Sequence, residues 1–183
     1  MRIHKRNIPG LIELRPKVYR DERGSFVKTF NEREFQEAGL DTKFVEEYFS
    51  RSKAGVIRGL HFQVPPHDHA KMVFCLWGRV LDAVVDLRIG SPTYGGFVTL
   101  ELGEASANGL YIPRGLAHGF CVLSPEAVLM YATTTLHAPG FDKGIRWDSA
   151  GIPWPAADPV LSARDRSLPP LEDFQSPFLF RND

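Results

Sequence analysis

The stretch Lys71-Met72-Val73-Phe74-Cys75-Leu76-Trp77-Gly78-Arg79-Val80-Leu81-Asp82-Ala83-Val84-Val85-Asp86-Leu87 decides the fold class. It holds two β-rich runs, Lys71–Trp77 and Val80–Leu87, with Gly78 between them. Ala83-Val84-Val85 is continuously apolar, as a strand covered on both faces requires. Working outward, similar runs stand at Val56–Phe62 before it and at Phe97–Leu102, Gly109–Ile112, Phe120–Leu123 and Ala127–Thr134 after it. Pro65-Pro66, Gly90-Ser91-Pro92, Gly103, Pro113-Arg114-Gly115 and Ser124-Pro125 punctuate them. Many short strands at such intervals predict a sandwich or barrel, and a double-sheet jelly roll fits best.

Toward the N-terminus, Ile12, Leu14 and Val18 alternate with Glu13, Arg15 and Lys17. That period of two predicts one strand over 11–20, with Pro16 placing it at an edge. Asp21-Glu22-Arg23-Gly24 reads as a turn into a second strand at 25–30. Asn31 caps a short helix, Glu32 to Ala38, closed by Gly39. Past residue 138 Pro becomes frequent and periodicity fades, so the tail reads as a loop-rich wrap around the barrel.

The length of 183 residues suits one domain able to bury its core without staples. Twenty-two Lys and Arg balance twenty-two Asp and Glu. Zero net charge argues against nucleic acid, which needs a basic face, yet permits a small phosphorylated ligand held by a few local cations. Cys75 and Cys121 lie in apolar runs and read as buried thiols. The N-terminus lacks the apolar core of a signal peptide, and no apolar stretch approaches the roughly 18 residues of a membrane span. A cytoplasmic protein with no membrane partner is expected.

Six histidines stand at positions 4, 61, 67, 69, 118 and 137. His67-Asp68-His69 and Pro113-Arg114-Gly115-Leu116-Ala117-His118 resemble the H-x-H and P-x-G-x-x-H motifs of cupin barrels. The expected fold is therefore all-β: a cupin-type double-sheet jelly-roll barrel with a short N-terminal helix and a loop-rich tail. One domain spans 1–183, with the barrel core at about 44–135. In metal-binding cupins a Glu follows the H-x-H pair; here stand Ala70, Lys71, Met72, Val73 and Phe74. A lysine beside imidazoles opposes a second cation, so no metal is expected, and His67 and His69 are expected solvated in their Pro-rich turn. There is no nucleophile elbow and no Gly-rich phosphate loop. What remains is proton chemistry, with imidazole as base, ammonium as anion stabiliser and phenol as acid.

At Arg58-Gly59-Leu60-His61-Phe62-Gln63 the chain resembles the dTDP-4-dehydrorhamnose 3,5-epimerase family, metal-free cupins acting on nucleotide 4-keto-6-deoxy sugars. The likeness extends over Asp21-x-Arg23-Gly24-x-Phe26, Lys71, Gly78-x-Val80-x-Asp82, Val85 to Thr93, Ile112 to Phe120, Tyr131, Gly144-Ile145-x-Trp147 and Leu161-Ser162-x-x-Asp165. It implies His61 as carbon-acid base and Asp165 as the carboxylate that orients it. Lys71 would hold the enolate oxygen and Tyr131 would return a proton on the opposite face. Arg23 and Arg58 would bind the diphosphate, Phe26 would sit with them, and His118 would lie near the sugar. It further implies a homodimer with exchanged strands and no cofactor. Asp86 and Arg88, on alternate positions, read instead as a structural ion pair.

Three places depart from the family pattern. Lys28 stands where a glutamate is usual, Glu46 and Tyr48 where Gln-x-Asn is usual, and Leu136-His137 where a tyrosine pair is usual. Such exchanges alter the donors and acceptors offered to a ligand, so the nucleotide is expected to be open among dTDP, CDP and GDP, and inversion open between C3, C5 or both. A nucleotide-sugar ketoisomerase, a non-catalytic sugar-binding cupin and a metal-dependent cupin are the competing readings.

Overall fold

The computed structural model describes residues 1–181. Along the chain lie β1 (Arg2–Lys5), β2 (Ile12–Arg15), β3 (Val18–Asp21), β4 (Gly24–Val27), α1 (Glu32–Glu37), β5 (Glu46–Lys53), β6 (Ile57–Gln63), β7 (Lys71–Trp77), β8 (Arg79–Asp86), β9 (Phe97–Gly103), β10 (Gly109–Ile112), β11 (Leu116–Val122), β12 (Glu126–Thr133), β13 (Asp142–Gly144) and α2 (Ala163–Ser167). Two antiparallel sheets face each other, one ordered β1-β2-β10-β7-β12-β5 and the other β13-β6-β11-β8-β9. Strands β3 and β4 form a separate hairpin. This is the double-sheet all-β fold expected, in three apolar layers.

The central layer lies between the sheets and takes alternate residues of each strand, among them Val73 and Cys75 of β7, Val80 and Val84 of β8, Phe120 of β11 and Leu129 of β12. The intervening residues of β8, Ala83 and Val85, face outward under the tail, where Ile152, Phe174 and Phe178 cover them. That is why this strand is apolar on both faces. On the other side Met72, Phe74 and Tyr111 face outward beneath Phe35 of α1. Asn31 caps α1 by accepting from the Glu34 amide, as its sequence predicts.

The N-terminal expectation needs correcting. Residues 11–20 form not one edge strand but two, β2 and β3, broken at Pro16-Lys17. Pro supplies no amide hydrogen to a ladder, and β2 runs inside its sheet between β1 and β10. Glu13, a polar member of that alternation, is buried and bonded to Arg6, to Arg15 Nε at 2.9 Å and to Asn108 Nδ2 at 3.0 Å. The following strand stops at Val27, short of residue 30. Elsewhere Asp86 and Arg88 form the expected ion pair, buried, with two bonds of 2.8 Å. Both thiols are buried and free. No helix among the described residues is long and apolar enough to cross a membrane.

Candidate active site

The apolar layer between the sheets gives way at one end to a cavity of about 340 Å³. The same alternation that builds the core fills this end with polar groups. Lys71 is the inward residue at the start of β7, Tyr131 and Thr133 are the inward residues at the end of β12, and Glu46, Tyr48 and Ser50 are those of β5. From the facing sheet come His61 of β6 and His118 of β11, paired directly across their ladder. The register of that ladder slips between His118 and Phe120, because β6 carries an extra residue. A bulge of this kind re-aims the next side chain. The two backbones meet at Gly59 and Gly119: a Cβ on Gly59 would lie 2.6 Å from Gly119 Cα, and one on Gly119 2.7 Å from Arg58 O.

His61 Nε2 lies 2.6 Å from Asp165 Oδ1. An ionised carboxylate only accepts, so Nε2 carries hydrogen and Nδ1 of the neutral ring is bare. Asp165 arrives on the short helix α2, capped by the Ser162 hydroxyl, which accepts from the Asp165 amide at 3.0 Å. Burial raises its proton affinity, yet His61 and Ser162 together hold it below the ordinary carboxylate range. Lys71 is 8% exposed. Burial pushes its ammonium down to about 8 against the pull of Asp142 and Asp82.

Tyr131 stacks on Tyr48, ring centroids 4.8 Å apart and 16° from parallel, and its hydroxyl lies 3.2 Å from Ser50 Oγ. Burial raises its proton affinity strongly, and Tyr48 is raised to about 12 by burial together with Glu46 and Asp142. His118 Nε2 lies 2.8 Å from Asp82 Oδ2, both groups buried. Burial lowers the imidazole and raises the carboxyl, each opposed by its partner.

Toward the mouth, Arg58 Nε donates to Ser52 Oγ at 2.9 Å, leaving its guanidinium partly open to solvent. Glu46 accepts from the His137 amide at 2.6 Å. His61, Lys71, Tyr131, His118, Arg58, Glu46 and Tyr48 thus line one cavity, with Asp165 behind His61. Arg23, Phe26 and Lys28 do not join them within this chain. They stand on or just after the β3–β4 hairpin, beside other surface depressions. Arg23 pairs with Asp21, and Phe26 is 62% exposed.

His67 and His69, expected in solvent, are half-buried. His67 packs on Phe141, centroids 4.4 Å apart, and His69 reaches the cavity wall. Among the described residues no three His, Cys, Asp or Glu side chains converge as a metal site. Asp82, Asp142 and Arg164 join the site without having been singled out. Asp82 had a readable sign, a carboxylate at an inward position between Val80 and Val84. Asp142 and Arg164 had none, since they meet across the tail at 2.9 Å.

One sheet thus presents a carboxylate-anchored imidazole and the other a phenol and an ammonium. A ring held between them can lose a proton to one wall and regain it from the other. A family model described as dTDP-4-dehydrorhamnose 3,5-epimerase matches residues 5–173. The dTDP-4-dehydrorhamnose 3,5-epimerase of Shigella flexneri is 43% identical over 90% of this chain and 93% of its own. The dTDP-4-dehydrorhamnose 3-epimerase of Streptomyces niveus is 38% identical over 91% and 82%. The crystal structure of dTDP-6-deoxy-D-glucose-3,5-epimerase from Legionella pneumophila, in complex with dTDP-4-keto-L-rhamnose, superposes with a TM-score of 0.93 at 36% identity, covering 100% of this chain and 98% of that one.

Proposed function

Because this chain belongs to the dTDP-4-dehydrorhamnose 3,5-epimerase family, we propose that it inverts C3, C5 or both in a nucleoside-diphospho-4-keto-6-deoxy sugar, with His61 as the carbon-acid base. The C4 ketone acidifies its neighbouring C–H bonds, since either carbanion is delocalised onto oxygen as an enolate. His61 Nδ1 takes the proton while Asp165 fixes the tautomer. Lys71 meets the charge growing on oxygen inside a water-poor cavity, where such help is largest. Tyr131 returns a proton from the opposite wall, which makes the outcome inversion, and His118, held by Asp82, contacts the sugar. The supporting observation is that His61 and Tyr131 enter one cavity from facing sheets.

Arg58 at the mouth binds the diphosphate. Arg23, Phe26 and Lys28 lie outside their own chain's cavity, and we assign them to the cavity of a second copy in a homodimer. The outer face of β5 and β7 leaves Phe49, Leu76 and Trp77 exposed, the kind of apolar surface that a second copy covers. Residues 1–183 act as one unit, and the two reduced thiols suit the cytoplasm. Lys28, Glu46 and Tyr48 widen the choice of nucleotide beyond dTDP.

The test is incubation in D₂O with the dTDP-, CDP-, GDP- and UDP-linked 4-keto-6-deoxyhexoses, read by NMR and mass. Deuterium should enter the inverted carbon, and the preferred nucleotide follows from the relative rates. His61→Ala should slow exchange by about 10²–10⁴-fold while nucleotide affinity stays near native. Exchange persisting in that variant would remove the proposed base, and strong preference for dTDP would restore the usual nucleotide.

A further inference from the structure

Three buried side-chain atoms among the described residues lack a hydrogen-bond partner, and two of them, His69 Nε2 and Asp82 Oδ1, belong to residues that neighbour Lys71. Buried polar atoms are seldom left unpaired. The bonds around His69 bear on which of its nitrogens carries the hydrogen. The Ala138 amide donates to Gln63 Oε1 at 2.6 Å, so Gln63 Nε2 is the amino end, and it donates to His67 O at 2.8 Å and Leu136 O at 3.2 Å. Thr135 Oγ1 spends its one hydrogen on His67 O at 2.9 Å. It can then only accept from His69 Nδ1, 3.3 Å away. Nδ1 then donates and Nε2 is a bare lone pair, provided that Gln63 Nε2, also 3.2 Å from Nδ1, gives both its hydrogens to the two carbonyls.

Burial, with Lys71 and Arg114 as neighbouring cations, holds His69 neutral, pushed down to about 3. His69 and Lys71 line both the main cavity and a small one behind it. Lys71 Nζ receives charge effects but no hydrogen bond among the described residues. An ammonium has three N–H groups. The groups facing it are His69 before β7, Asp82 of β8, His118 of β11, His61 of β6, Tyr131 of β12 and Asp142 of β13, the last already paired with Arg164.

We propose that His69 keeps its hydrogen on Nδ1 and is a positioning residue for Lys71, its Nε2 taking one ammonium N–H while Asp82 Oδ1 takes a second, leaving the third for the substrate oxygen. This rests on the assignment of Lys71 as the enolate-holding group. A neutral acceptor favours the charged lysine without cancelling its charge. His69 therefore offsets part of the cost of burial and sets how far into alkaline pH the ammonium survives.

The test uses the free protein with ¹³Cε-labelled lysine, Lys71 being assigned through Lys71→Arg. In His69→Phe, which keeps a flat ring without the lone pair, the Lys71 midpoint should fall by about one pH unit. The alkaline limb of kcat/KM should fall with it, giving about a tenfold loss at pH 9 and little at pH 6.5. His69→Gln, whose amide oxygen can accept, should restore both. The ¹⁵N shifts of His69 in the native protein give a reading that needs no variant, and Nε2 should be the unprotonated nitrogen. A hydrogen on Nε2 would overturn the proposal, as would a folded His69→Phe with an unmoved midpoint, or a shift that Gln fails to reverse. The lysine titration needs no substrate. A chain with no epimerase activity but a shifted midpoint would sink the assignment of Lys71 and spare its pairing with His69.

Discussion

Lys71 carries a cost for its position, because a buried ammonium gives up its proton at about pH 8 and not at 10.5. Between those values the unfolded chain holds a proton that the folded chain has released, so this group makes stability rise with pH across the window. Below about pH 8 the full penalty is present. Lys71→Met should therefore be more stable than the native chain at pH 7, by up to about 3 kcal/mol, with the advantage gone above pH 10.5. Urea denaturation at pH 7 and pH 10.5 measures this, and equal stability at pH 7 would contradict it. The same variant should lose about 10²–10³-fold in kcat, as removal of an oxyanion donor does. Lys71 was legible in the sequence because a cation opening an apolar strand is paired or functional. Asp165 was not legible from local pattern, because its neighbours are the exposed Arg164 and Arg166 and only the turn of α2 buries it. His69 misled, since a Pro-rich turn predicts solvent but this turn folds onto Thr135 and Gln63.

Strands β6 and β11 can bring His61 opposite His118 only because glycine stands on both at their closest approach. Gly119→Ala puts a methyl 2.7 Å from Arg58 O and 3.0 Å from Gly59 Cα, both backbone atoms with no side-chain freedom to yield. Overpacking of this kind costs about 1–3 kcal/mol, and the parted ladder should reduce kcat as well. Gly140→Ala, where nothing lies within 4 Å, should stay within about 0.5 kcal/mol of native. Thermal or urea melts of the two variants decide, and equal effects would refute the crowding. At this scale the sequence was readable wherever a strand had an apolar face: Lys71–Trp77 and Gly109–Ile112 match their strands to the residue. Strand β5 had no such signature. Its inward residues Glu46, Tyr48, Ser50 and Ser52 serve the cavity and its neighbouring Arg58, so a test for buried apolar positions passes over it.

At the scale of the whole molecule, the hairpin of β3 and β4 stands apart from the cavity that its residues are assigned to complete. If each hairpin serves the other protomer, Arg23→Ala and His61→Ala should complement each other. Each homodimer is impaired, but in the mixed dimer one cavity receives an intact hairpin and keeps its own imidazole. Mixing the two variants under subunit exchange should restore activity, whereas hairpins that serve their own chain would leave the mixture as poor as its components. The layered architecture was legible from strand count and punctuation, but the partner of the imidazole only through the family resemblance, because 104 residues separate them. That separation has a bearing on biosynthesis. Every barrel strand through β12 is translated before Asp165, so a polypeptide halted there would own its imidazole without the anchor. An anchored imidazole therefore requires that the tail be both translated and docked.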